Sequence, residues 1–140
     1  MLFLALAGLL RASMSEVPPE SWSCRNQVEV WCAADGCAAA RADEFTPMHI
    51  TADARGGFSV CAYTGCWEGE GPPLVKDDRL LWTAEGAAFS SHPDGGMNAD
   101  VTLLILKKDG VGFVRVAGLA TPVMCERTGP GLGDGGEEGR

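Results

Sequence analysis

Between residues 45 and 127 the apolar positions fall in short alternating or β-branched runs, separated by Gly, Pro, Asn and Asp. That pattern predicts antiparallel strands joined by tight turns. The clearest hairpin runs from Asp100 to Ala117, with Asp109-Gly110 as its turn between Val-Thr-Leu-Leu-Ile-Leu and Val-Gly-Phe-Val-Arg-Val. Gly accepts the positive φ that such turns demand. His92-Pro-Asp-Gly-Gly96 is expected to connect Gly86–Ser91 to a strand starting near Ala99. Arg79–Ala84, followed by Glu85-Gly86, is expected to turn back onto Ala87–Ser91. Phe58–Tyr63 alternates and leads towards Cys66, which predicts a further hairpin.

Further upstream, Gln27-Val-Glu-Val-Trp31 alternates polar and apolar residues as a half-buried strand does. Met48–Thr51 reads as another short strand. Ala38–Glu44 has helical propensity, yet it is too short for a stable helix. Together these segments predict an all-β fold, a small antiparallel β-barrel or β-sandwich of about seven to nine short strands. The pattern suits both architectures.

The ends of the chain read differently. Met1–Leu10 is apolar throughout, and as a helix it would extend roughly 14 Å, about half of a 30 Å bilayer core. It is too short for an anchor. With the small stretch Ala12-Ser13-Met14-Ser15 behind it, it resembles a signal peptide, cleaved after Ala12 or Ser15. No basic residue precedes the run and Arg11 follows it, which points to a natural start further upstream. Residues 1–15 are thus expected to be a signal peptide, 16–21 a linker, 22–128 one β domain and 129–140 a disordered tail. The tail, Gly-Pro-Gly-Leu-Gly-Asp-Gly-Gly-Glu-Glu-Gly-Arg, has one apolar side chain to offset its ordering entropy. A compact leader ahead of a small domain is the bacterial pattern, and the expected location is periplasmic or secreted.

Charge narrows the partners. The net charge of -8 becomes about -9 once residues 1–15 are removed with Arg11. A strongly acidic domain repels nucleic acid and anionic lipid, so neither is expected as a partner, nor is stable membrane insertion.

The six cysteines are Cys24, Cys32, Cys37, Cys61, Cys66 and Cys125. An even count behind an export signal predicts a disulfide framework. Two intervals share the form Cys-Ala-x-x-Gly-Cys, at Cys32–Cys37 and Cys61–Cys66. Gly before the second sulfur lets the chain turn back, so two local bridges are expected, leaving Cys24 for Cys125. Zinc held by the two clips is the competing reading, but zinc clips favour two intervening residues. A redox pair is disfavoured too, since neither clip has Cys-x-x-Cys spacing or an adjacent cation. Trp31 and Trp67 flank the clips and are expected to pack against the disulfides in the core, with Trp22 and Trp82 also buried.

No motif assigns catalysis, a cofactor or a metal. Ser90-Ser91-His92 sets hydroxyls beside an imidazole, but neighbours on a strand point to opposite faces, so His92 reads as a turn residue. His49 reads as a structural side chain. The acids Glu68 and Glu70, and Asp77-Asp78, lie in Gly/Pro-rich loops where solvated charge is the default. Asp94-Gly-Gly96 lacks the strand-to-helix setting of a phosphate loop.

In layout the chain resembles the small periplasmic lysozyme-inhibitor domains, which pair a leader and a compact β-barrel with a cysteine link between its ends. Thr83-Ala-Glu-Gly-Ala-Ala-Phe-Ser90 is the local counterpart of their serine-glycine stretch. It lacks the serine before the glycine, and two extra clips interrupt the chain, so no site residue carries over. The expected function is a binding or inhibitory module of the cell envelope, with an envelope protein or small ligand as partner. A metal- or redox-responsive protein using the clips and a hydrolase around His92 are the alternatives.

Overall fold

The computed structural model describes residues 20–129; the expected signal peptide, most of the expected linker and residues 130–140 lie outside them. Eleven strands follow in order: β1 (Ser21–Asn26), β2 (Val30–Ala33), β3 (Gly36–Ala39), β4 (His49–Asp53), β5 (Phe58–Ala62), β6 (Gly65–Gly69), β7 (Leu74–Lys76), β8 (Arg79–Ala87), β9 (Ala99–Leu106), β10 (Val111–Val116) and β11 (Leu119–Arg127). No helix occurs among the described residues.

Nine of the strands form one antiparallel half-barrel sheet in the order β6-β5-β4-β1-β11-β10-β9-β8-β7. The β2–β3 hairpin branches from β11, joined where Trp31 meets Leu119. The sheet curls far enough for β6 to meet the chain just beyond β8. There Trp67 bridges to Phe89, Ser90 N donates to the Cys66 carbonyl at 2.9 Å, and Cys66 N donates to Ser90 Oγ at 2.9 Å. Alternation supplies the core. In β9 Val101, Leu103 and Ile105 point inward, and in β10 Val114 and Val116 do so. Each such side chain contributes about 1.5–3 kcal/mol through burial, before conformational entropy is subtracted.

All three disulfides join residues directly opposite each other on paired strands: Cys24–Cys125, Cys32–Cys37 and Cys61–Cys66. The Gly before each second sulfur plays different parts in the two clips. Gly36 has φ +141°, whereas in the second clip Tyr63 takes the positive φ, 60°. Gly65 is required for space instead, because a Cβ there would stand 2.7 Å from the Phe89 ring.

Two expectations are corrected. Glu85-Gly86 is a bulge within β8, which stays on β9 from Arg79 to Ala87 and does not turn back onto Ala87–Ser91. Gly86 adopts φ +58°, and its N–H donates to Asp100 Oδ1 at 2.8 Å, which holds the bulge on β9. As its shortness implied, Ala38–Glu44 forms no helix; Ala38 and Ala39 belong to β3, held opposite Trp31 and Val30 by the first clip. In the Gln27–Trp31 stretch Val28 is 46% exposed while Glu29 is buried, so polarity does not follow the alternation.

Candidate functional site

Because strand neighbours alternate faces, the residues between the core positions cover the outside of the half-barrel. On the β7–β11 side this outer face is apolar. Leu74 pairs with Leu81, Leu81 with Leu104, Leu104 with Phe113, and Phe113 with Pro122, one row across five strands. Four gaps of about 4.8 Å make the row roughly 19 Å long. Leu74 is 71% exposed and Phe113 39%. Beside the row, Val111 pairs with Met124, and both are exposed.

Cations frame this face. Lys76 pairs with Arg79 at one end, Met124 with Arg25 at the other, and Arg115 with Thr102 on the far flank. The outer face of the other half is polar: Glu126, Ser23, Thr51, Ser59 and Glu68 form a corresponding row. Sequence reasoning missed the apolar row. Its residues are ordinary alternate positions of separate strands, and only the register aligns them.

Trp22, Trp67 and Trp82 are buried as expected. Trp31 is not, standing 40% exposed on the β2–β3 hairpin. That hairpin branches off the sheet, so among the described residues no second layer covers its indole. Glu29 was not anticipated as structural. Its carboxylate accepts the Trp31 Nε1 hydrogen on one oxygen and the Thr46 N–H on the other. Asn26 completes the hub, donating to the Val28 and Thr46 carbonyls and accepting from Met48 N at 2.7 Å. These bonds repay the burial of polar groups and moor residues 46–48 to the branch of the hairpin.

The cysteine readings resolve together. No free thiol remains, and all four clip sulfurs are taken up in bridges instead of serving as zinc thiolates. Among the described residues no group of three or more His, Cys, Asp or Glu is disposed to hold a metal ion. Ser91 Oγ lies 3.2 Å from His92 Nδ1, closer than strand geometry suggested, because the chain turns there and His92 N donates to the Phe89 carbonyl. Both residues are exposed, and among the described residues His92 makes no hydrogen bond to a carboxylate. His49 is exposed, with Nε2 3.3 Å from Ser23 Oγ. Glu68 and Glu70 line a wide cleft of about 740 Å³ together with Asp53, Trp22 and Phe58. Asp77 and Asp78 form the β7–β8 turn, and Asp94–Gly96 a loop with no helix behind it.

These features define a class: a disulfide-stapled, all-β half-barrel with one polar and one apolar outer face. Three intramolecular disulfides suit an oxidising extracellular or periplasmic environment. Comparison with protein-family models, curated proteins and solved structures finds no match to this chain. The Thr83–Ser90 stretch, which sequence layout set beside the serine-glycine segment of lysozyme inhibitors, contains the β8 bulge and then the buried Phe89.

Proposed function

We propose that this protein is an exported binding module of the cell envelope or its surroundings, which docks a partner protein on the apolar outer face of β7–β11. The observation that carries the reading is the row Leu74–Leu81–Leu104–Phe113–Pro122. Contiguous apolar surface of this kind marks interaction sites on soluble domains, whereas isolated apolar residues do not. The frame of Lys76, Arg79, Arg25 and Arg115 fits a partner whose contact surface is apolar at the centre and acidic at the rim. Export rests on the Leu2–Leu10 run together with the disulfides. The test compares capture of envelope and secreted proteins by the wild type and by Phe113→Asp. A partner retained by the first and lost by the second supports the reading. Equal capture by both removes the β7–β11 face from consideration.

A further inference from the structure

We propose that the cleft between the β2–β3 hairpin and the β10–β11 turn is a second binding site, which takes the guanidinium of a partner's arginine against Trp31. The cleft, about 390 Å³, runs between the Trp31 indole, the Cys32–Cys37 bridge and Gly118, with Asp35 at its rim. Asp35 is the one charged residue among the described residues lining it. Arg41, the next cation along the chain, pairs with Asp43 at 3.7 Å.

The indole is held with unusual care for an exposed side chain. Glu29, only 4% exposed, accepts its Nε1 hydrogen. Gly118 makes room for the ring, since a Cβ there would stand 2.8 Å from Trp31 Cε3. Cys32 N donates to the Gly118 carbonyl at 2.9 Å, which fixes the hairpin to the turn beneath. A buried carboxylate is costly; one oxygen of Glu29 moors Thr46, and the other is committed to the indole, which holds that exposed ring in one orientation. Donation of the N–H to a carboxylate also enriches the ring in electron density and strengthens the attraction of its face for cations. The indole face, Asp35 and the buried Glu29 at the Nε1 edge of the ring thus present negative potential, with no cation among the described residues that line the cleft. A planar guanidinium can stack on the indole while its N–H groups reach a carboxylate, which a compact ammonium does less well. Glu29 acts here as a positioning residue.

The test is an NMR titration of the full mature protein with the peptide acetyl-Gly-Arg-Gly-amide and its neutral citrulline counterpart. The Trp31 Nε1–H and Gly118 amide signals should shift with arginine, with affinity about five- to thirty-fold above that for citrulline. Asp35→Asn, in an exposed turn, and Trp31→Ala should each remove most of that discrimination. Glu29→Gln should lower the arginine-to-citrulline ratio, which a role confined to stability leaves unchanged. Equal response to both peptides, or shifts confined to the Asp53, Glu68 and Glu70 cleft, overturns the proposal. Phe113→Asp should leave the titration unaltered, so failure here and failure of the β7–β11 face are distinguishable.

Discussion

Cys24 and Cys125 stand directly opposite each other across the β1–β11 ladder, their Cα atoms 4.0 Å apart and 101 positions apart in sequence. Both are buried, so this bridge joins the first and last strands through the core, while Cys37 of the first clip is exposed. Closing a loop of about 100 residues restricts the unfolded chain by roughly 4.7 kcal/mol, against about 2 for a six-residue clip. Cys24→Ser/Cys125→Ser should therefore lower the melting temperature more than Cys61→Ser/Cys66→Ser. The reverse order would refute the loop-entropy ranking.

Phe113→Asp, which tests the partner face, should leave the fold nearly intact because Phe113 is 39% exposed. Its stability change should stay within about 1 kcal/mol. At a docking hot spot the same change weakens partner binding by about thirty-fold or more. Calorimetric melting and affinity measured side by side separate the two effects.

Glu29→Ala should destabilise the domain by about 1–3 kcal/mol, since the Thr46 N–H and the Trp31 Nε1–H lose their acceptor together. Glu29→Gln keeps one acceptor oxygen and should lie between the two. Urea unfolding of the three proteins gives the order directly; an Ala variant as stable as the wild type would show that the hub contributes nothing.

Gly110 is the position in the β9–β10 turn least able to accept a side chain. Its φ is +72°, and a Cβ would stand 2.3 Å from the Cys125 carbonyl oxygen. Gly110→Ala should cost more than about 1 kcal/mol. Gly96→Ala meets only the Asp94 carboxylate at 3.4 Å and should be much milder. The two melting curves should differ accordingly.

Export predicts a mature N-terminus between Ser13 and Glu16, measured by mass spectrometry of the protein from its natural compartment. Recovery with Leu2–Leu10 intact would contradict the signal-peptide reading.

The alternation of apolar residues by itself determined the all-β class, the Asp109-Gly110 hairpin and the strands that supply Leu103, Ile105, Val114 and Val116. Cysteine spacing determined the three pairs. These features are local, or follow from a short loop and an even count, so a linear reading reaches them. The β8 bulge was beyond that reading, because Glu85-Gly86 looks like a turn until Asp100 on the neighbouring strand receives the Gly86 N–H. The reversal at Glu29 also lay beyond it. A carboxylate can be buried there only because Trp31 and Thr46, brought together by the fold, supply its donors. The candidate face is the fullest case: Leu74, Leu81, Leu104, Phe113 and Pro122 share no motif in the chain. Register is set by pairing between strands, and a slip of one residue would turn such a row to the opposite face. Tertiary structure alone decided that these five side chains form one surface.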